Sequence, residues 1–113
     1  MLTLGSQLEY YYYLPVVDMR KGFNGLSGLI QEHYENTPGE EKVYVFVNKT
    51  RDKIKILYRT VKGFTLYYKR LEKGVFELPQ YDIEESLIIL SYTQMVMLID
   101  GISIINLKKN PRY

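Results

Sequence analysis

The stretch "KIKILYRTVKGFTLYYKR", Lys53 to Arg70, contains two runs of β-forming residues separated by a short turn. Apolar and charged residues alternate in the first run, as they do in a strand with one buried face, and "TVKG" provides a glycine for a turn. The preceding "VYVFV" is a further run of β formers, and "NKTRD" joins it to the hairpin. The pattern therefore predicts three consecutive antiparallel strands.

Alternation along the hairpin assigns each side chain to one face of the sheet. The core-facing residues of its first strand should be Ile54, Ile56 and Tyr58. A hairpin in which Tyr58 pairs with Phe64 would add Phe64, Leu66 and Tyr68 to the same face. That register sets Lys55 opposite Tyr67 and Lys53 opposite Lys69, so the other face is both basic and aromatic.

The charge of the chain is concentrated around this hairpin. Residues 49–73 carry nine lysines and arginines but two acids, which gives +7 there and −5 in the remainder. Two lysines that face each other repel, an arrangement that sheets avoid unless an anion binds there. Two interpretations stay open: a surface for nucleic-acid phosphates and bases, or a solvated strand protected by lysine.

A strand and a helix are predicted before the hairpin. Tyrosine and valine in Glu9–Val17 favour a strand, which Pro15 ends or places at a sheet edge. Because side chains alternate along a strand, two of the four tyrosines Tyr10–Tyr13 are expected to lie in the core. The alternative role for these tyrosines is stacking on a base. Asp18 occupies the position of an N-cap, and apolar residues then recur at helical spacing to about Glu35.

Two further elements are predicted after the hairpin. "EKG" turns the chain into a strand at Val75–Leu78. Ser91 and Gln94 have the spacing of a capping box and precede an apolar run, and Gly101 is the expected end of this run. We therefore predict a short buried helix here. The basic tail "LKKNPRY" that follows is expected to be frayed. The predicted fold class is α+β, with an antiparallel β-meander, one N-terminal amphipathic helix and one short C-terminal helix.

The start of the first helix contradicts ordinary helix energetics. Arg20 and Lys21 would face the positive end of the helix dipole, and interior glycines cost on the order of 1 kcal/mol each. Gly22, Gly25 and Gly28 recur every three residues and leave a groove without side chains. The groove can serve tight packing against the sheet, or the close approach of a backbone or phosphate beside the two cations.

The sequence offers little for catalysis or metal binding. There is no cysteine, and the serines form no nucleophile pattern. The single histidine, His33, belongs to the apolar side of the helix and is expected to pack or cap. The pairs Glu40/Glu41 and Glu84/Glu85 are adjacent, so their side chains diverge. We therefore expect no enzyme activity, no catalytic residue, no metal site and no cofactor.

Length and composition favour one cytoplasmic domain that spans residues 1–113. A chain of 113 residues, 46% hydrophobic and 25% charged, matches a single globular domain. The absence of cysteine fits a reducing compartment, and the longest purely apolar run, "MVMLI", is too short for a signal or membrane segment. We expect no membrane partner, and the oligomeric state stays open.

Four motifs resemble the TnpB-type accessory proteins of insertion sequence 66 elements. They are "DMRKGFNGL", "KIKILY", "GFTLYYKRLEKGVFELP" and "LSYTQMVMLIDGI", in the order and spacing of that family over about 85 residues. The resemblance implies a protein that assists a separate DDE-type transposase and has no known catalytic activity. Two departures are Asn24, where the family usually has aspartate, and Tyr58 or Tyr67, where tryptophans are common in the family's central strands.

The leading hypothesis is a transposition accessory protein that binds DNA or the transposase–DNA complex through a basic sheet face. The predicted nucleic-acid-binding residues are Arg20, Lys21, Lys53, Lys55, Tyr67, Lys69 and Arg70. Phosphate contacts should dominate, so that affinity falls steeply with salt and depends little on sequence. The alternative is a protein-interaction module that docks on the transposase, or on another accessory protein of the element, without DNA contact.

Overall fold

Five strands and two helices form the described part of the chain. The computed structural model describes residues 5, 7–36, 41–60, 62–78 and 84–100. The elements are β1 (Glu9–Tyr13), α1 (Phe23–Asn36), β2 (Lys42–Val47), β3 (Lys53–Thr60), β4 (Gly63–Arg70), β5 (Leu87–Leu90) and α2 (Tyr92–Asp100).

The strands form one mixed sheet in the order β4-β3-β2-β1-β5. The three consecutive strands β2, β3 and β4 pair antiparallel, as predicted. β1 runs parallel to β2, because α1 crosses over between them, and β5 pairs antiparallel with the other side of β1. The α+β class is confirmed, although the sheet is mixed, and β5 is a strand that the sequence pattern did not predict.

Each face of the sheet is covered by one helix. The α1 face is the side on which Leu26 and Ile30 of α1 pack against Tyr44, Phe46 and Leu57. The α2 face is the opposite side, where Met95 and Leu98 of α2 and Phe76 of the segment after β4 cover the sheet. All six residues of β2 are buried, since this central strand is covered on both sides.

The tyrosines of β1 are buried more completely than alternation predicts. Tyr10 and Tyr12 belong to the core of the α2 face and Tyr11 to that of the α1 face. All three are buried, and Tyr13 is half-buried. The prediction of two core tyrosines is wrong because β1 lies between two strands and beneath two helices, so neither of its faces is open.

The hairpin of β3 and β4 pairs one residue away from the predicted register. Tyr58 pairs with Thr65, not Phe64, and Thr60 pairs with Gly63 across a two-residue turn. Two-residue turns are the commonest hairpin connection, and Gly63 has a φ of +148°, which favours glycine. Because a slip of one residue exchanges the faces, the β4 side chains Phe64, Leu66, Tyr67, Tyr68 and Lys69 lie opposite to their predicted sides.

Helix α1 begins at Phe23, four residues after its predicted start at Met19. The Asp18 carboxylate accepts a hydrogen bond from the Arg20 amide at 2.9 Å, which closes a local turn before the helix. The first helical hydrogen bond runs from the Leu26 amide to the Gly22 carbonyl oxygen, at 2.9 Å, so Gly22 is the N-cap. The prediction of Asp18 as the N-cap is wrong, and the cations precede the helix.

Two predicted strand segments are shorter or irregular. β1 ends at Tyr13, not at Val17. The residues predicted to form a strand at Val75–Leu78 have no strand partner; instead, the Phe76 amide donates to the Arg51 carbonyl oxygen at 2.6 Å. Phe76 itself is fully buried against the α2 face, which explains why an apolar residue recurs in this segment.

The capping box of α2 is confirmed. The Gln94 amide donates to Ser91 Oγ at 3.1 Å, and the Ser91 amide donates to Gln94 Oε1 at 2.9 Å. The predicted stop at Gly101, the basic tail and Glu40 lie outside the described residues. Neither helix within the described ranges has the length and apolar character needed to cross a membrane.

Candidate nucleic-acid interface

An open groove of about 490 Å³ lies between the segment after β1, the loop between β2 and β3, and the strands β3 and β4. Its apolar floor includes Val17 and Met19. The charged, polar and aromatic residues that line it are Asp18, Arg20, Asn48, Lys49, Thr50, Lys53 and Tyr68. We call it the cationic groove, because three of these residues are lysine or arginine and one is an acid.

The β2–β3 loop is held by a network of side chains. Asn48 Nδ2 donates to Thr50 Oγ1 at 3.0 Å and to Asp52 Oδ1 at 2.9 Å, and Asn48 Oδ1 accepts from the Lys53 amide. Hydrogen bonds from Asn48 and Thr50 lower the pKa of Asp52 to about 2. Arg51, in the same loop, has a φ of 60°, and its amide donates to the Asn48 carbonyl oxygen at 3.1 Å.

An ion pair forms the opposite wall of the groove. Arg20 Nη2 lies 2.7 Å from Asp18 Oδ2, and Arg20 Nε donates to both carboxylate oxygens. These hydrogen bonds lower the pKa of Asp18 to about 2, so the carboxylate stays charged near neutral pH. The Arg20 side chain is nonetheless 91% exposed, which leaves its guanidinium accessible to a further anion.

Lys55 ties the segment before α1 to the sheet. Its Nζ donates to the Lys21 carbonyl oxygen at 2.8 Å and lies 5.5 Å from the ring centroid of Tyr68. The second contact is a cation–π arrangement, since such pairs fall within about 6 Å. Lys55 therefore fixes both the backbone beside Arg20 and the aromatic ring at the edge of the groove.

Two cations face each other across the hairpin beside the groove. Lys53 pairs with Arg70, and the two side chains share the α1 face. Lys53 has one acidic neighbour, Asp52, at 3.5 Å. Within the part of the chain that the structure describes, neither Arg70 nor Lys49 makes a salt bridge. The groove and its rim thus hold five cations, Arg20, Lys49, Lys53, Lys55 and Arg70, against Asp18 and Asp52.

The structure brings five of the seven predicted site residues together. Arg20 and Lys53 line the groove, and Lys55 and Arg70 lie at its rim. Lys21 is joined to this rim through its backbone carbonyl oxygen, which accepts a hydrogen bond from Lys55. The prediction of one shared face is wrong for Tyr67 and Lys69. Both pair with isoleucines of β3 on the α2 face, where Tyr67 packs against the core. Lys69 Nζ there donates to the Ile99 carbonyl oxygen, near the end of α2.

Two residues of the groove were missed by the sequence reasoning. Tyr68 was assigned to the core because the predicted register placed it there, yet 55% of it is exposed. The preference of hairpins for two-residue turns is a signal that would have corrected this assignment. Lys49 was counted in the basic segment but not as a site residue, since a loop has no alternation that assigns a direction.

The histidine and the glutamate that the sequence offered as candidate catalytic or metal-binding residues make packing contacts and hydrogen bonds within the fold. His33 Nδ1 lies 2.9 Å from the Tyr44 hydroxyl oxygen, and its ring contacts that of Tyr11 edge-on at 4.5 Å. The packing role predicted for His33 is confirmed. Glu41 accepts a hydrogen bond from the Tyr58 hydroxyl at 2.7 Å. Among the described residues, no group of three or more histidine or acidic side chains could hold a metal ion.

Comparison with known proteins identifies one family. The family model described as "IS66 Orf2 like protein" matches residues 8–109. Two similar proteins come from Sinorhizobium fredii (strain NBRC 101917 / NGR234), and both are described as uncharacterized. The first, y4hO, is 29% identical over 90% of this chain and 87% of its own length. The second, y4jC, is 28% identical over 84% of this chain and 80% of its own. No solved structure matches the chain.

Proposed function

Because the chain belongs to the IS66 Orf2-like family, we propose that it is a non-catalytic accessory protein of transposition that binds DNA along the cationic groove. Family membership supports the accessory role. The DNA contact is our inference from the charge and shape of the groove. We assign no catalytic step to any residue, and we place the DNA backbone across the groove and its rim.

The observation that carries this proposal is the concentration of cations on one side of the hairpin. Lys53 and Arg70 face each other although like charges in a cross-strand pair are destabilising. Lys49 adds a third cation from the loop between β2 and β3, and Arg20 a fourth from the opposite wall. A polyanion would relieve this repulsion, because its phosphates bring negative charge to the facing cations. Each lysine or arginine that contacts a phosphate also releases a counterion condensed on the DNA.

The kind of binding follows from the types of residue. Lysine and arginine on an open surface contact phosphate oxygens, which position a protein on DNA but carry no sequence information. The groove contains few groups that could recognise base edges. We therefore expect modest, sequence-independent affinity that falls steeply with salt, as suits a protein that assists a separate transposase at the ends of its element.

The test is DNA binding by fluorescence anisotropy over a salt series, with a duplex that carries the terminal sequence of the element and one of scrambled sequence. The double variant Lys49→Gln/Lys53→Gln removes two proposed phosphate contacts. We expect the slope of log affinity against log salt to become shallower by about 1.8. Both duplexes should show the same change, because phosphate contacts are independent of sequence.

A matched control separates the groove from net charge. Lys62 lies at the opposite end of the hairpin, about 23 Å along the strands from Lys53. Lys73 follows β4, outside the groove, and both side chains are exposed. Lys62→Gln/Lys73→Gln should leave the slope nearly unchanged. An equal loss in the control, or no binding by folded wild-type protein, would refute the groove as the DNA site.

A second function, docking on the transposase, is favoured by a different surface. Ile89 on the edge strand β5 is 65% exposed on the α1 face. Beside this strand lies a groove of about 340 Å³, lined in part by Tyr13, Leu29 and Leu87. An exposed apolar residue next to a groove is typical of a protein contact. If Ile89→Asp abolishes co-purification with the transposase while DNA binding persists, docking is the function of this surface.

A further inference from the structure

Tyr68 is the most exposed of the tyrosines in the described ranges. Its exposed fraction is 55%, whereas Tyr10, Tyr11, Tyr12 and Tyr44 are buried. The ring lies at the edge of the cationic groove, on the same face as Lys53 and Arg70. A large aromatic side chain that is left open to solvent among cations is not explained by the core, since neither apolar cluster includes it.

The ring of Tyr68 is fixed from the protein side. Lys55 is its cross-strand partner, and the Lys55 ammonium lies 5.5 Å from the ring centroid. That ammonium is itself held by the Lys21 carbonyl oxygen at 2.8 Å. A ring supported in this way loses little further freedom when a second flat group stacks on it, which favours binding.

Cations flank the ring along both strands. Arg70 follows it by two residues on β4, and Lys53 lies opposite Arg70, about 6.6 Å along β3 from Lys55. Across the groove are Arg20 and Lys49. An aromatic platform within a positively charged groove is the arrangement by which proteins bind single-stranded nucleic acid, because phosphates follow the cations while a base stacks on the ring.

The following inference rests on the proposed function. We propose that the cationic groove binds single-stranded DNA, with one unpaired base stacked on Tyr68 and the flanking phosphates on Arg20, Lys49, Lys53 and Arg70. Duplex DNA presents its phosphates to the same cations, but its bases are stacked on one another and do not offer a face to an outside ring. The ligand class of the groove is therefore an unpaired strand, such as one exposed at a nicked or melted DNA end.

The experiment compares two strands of equal charge. One is a labelled oligonucleotide of about 12 nucleotides, within the usual length range of single-strand sites, and the other is an abasic strand with the same number of phosphates. We expect folded wild-type protein to bind the base-bearing strand on the order of tenfold more tightly than the abasic strand. Tyr68→Leu should reduce this ratio to about one, and Tyr68→Phe should retain it, because stacking needs the ring and not the hydroxyl.

The control variant is Tyr92→Leu, since Tyr92 is 42% exposed on α2 and contacts Tyr10, away from the groove. It should keep the wild-type ratio. The stacking inference is overturned if wild-type protein binds the two strands with equal affinity, or if the affinity ratio is unchanged in Tyr68→Leu. In either case, salt-dependent binding to the duplex leaves the proposed function intact. Absence of binding to the duplex and to both strands by folded protein overturns both.

Discussion

At the scale of single residues, the neighbours of His33, the one histidine in the chain, determine its protonation state. It lies in the last turn of α1, between the rings of Tyr11 and Tyr44, with its Nδ1 within hydrogen-bond distance of the Tyr44 hydroxyl. Burial lowers the pKa of His33, and the nearby Lys42 ammonium lowers it further, against a smaller opposite effect of Glu9. His33 therefore favours its neutral form in the folded protein.

The lowered pKa predicts how stability depends on pH. The unfolded chain binds a proton at His33 near pH 6.5, above the pH at which the folded chain does, so protonation favours unfolding. We expect the free energy of unfolding, measured with urea, to fall as the pH decreases from about 7 to about 5. Asp18 and Asp52 contribute below this window, because their pKa values of about 2 lie under the unfolded value of 3.8.

His33→Gln isolates the effect, since it removes the titrating ring and keeps a polar side chain. The variant should show a flatter dependence of stability on pH over the same range, whatever its absolute stability. If wild-type and variant proteins lose stability in parallel as the pH decreases, the histidine is not the cause of the loss. Thermal midpoints at matched pH values would provide an independent measurement.

At the scale of elements, the hairpin shows what alternation can and cannot predict. The extents of β2, β3 and β4 were predicted closely, because runs of valine, isoleucine and tyrosine and the glycine turn mark them clearly. Alternation also assigned Ile54 and Ile56 to the core correctly. It could not assign β4, since residues 64–68 are mostly apolar or aromatic and satisfy either register. The choice between Tyr67 and Tyr68 as the exposed ring followed from that ambiguity.

The start of α1 resolves the conflict between its cations and helix energetics. Arg20 and Lys21 lie in a turn closed by Asp18, outside the helix dipole, and Gly22 is the N-cap. The sequence pattern extended the helix because Met19 continues its apolar spacing. Only Gly25 and Gly28 lie inside α1. A Cβ at Gly25 would lie 3.2 Å from Lys21 Cβ, so that glycine permits a close approach.

Gly28 gives an element-scale prediction, because a Cβ at this position would meet nothing within 4 Å among the described atoms. Tight packing against the sheet does not explain this glycine. Gly28→Ala should raise the free energy of unfolding by about 0.5–1 kcal/mol in urea titrations, since alanine loses less backbone freedom in a helix. Gly25→Ala should gain less, because Lys21 must move. A loss of stability in Gly28→Ala would contradict the open position.

At the scale of the whole molecule, the sheet order depends on contacts that local patterns do not encode. A strand, a helix and a second strand in sequence favour a parallel pair, yet the position of β1 inside the sheet also requires β5 on its other side. The four residues of β5 are too few for a clear pattern before the capping box of α2. For this reason the burial of Tyr11 and the separation of the two sheet faces could not be predicted.

The two faces distribute the cations of the hairpin between two roles. On the α1 face, Lys53 and Arg70 border an open groove, where their charge is accessible to a ligand. On the α2 face, Lys69 is half-buried and its ammonium donates to the Ile99 carbonyl oxygen. A cation near the C-terminal end of a helix stabilises carbonyl groups that lack helical partners. Lys69 therefore holds α2 on the sheet, and DNA contact by Lys69 stays an untested prediction.

A pair of equal substitutions tests this division, because Lys53→Gln and Lys69→Gln remove the same charge from the two faces. Lys69→Gln should lower the free energy of unfolding by about 1–2 kcal/mol through loss of a charged hydrogen bond, with little change in the salt dependence of DNA binding. Lys53→Gln should do the reverse: its salt slope should become shallower by about 0.9, with stability nearly unchanged. Urea titration and anisotropy on the same preparations measure both. A salt slope reduced equally by the two variants would favour DNA contact on both faces, because only accessible lysines release counterions.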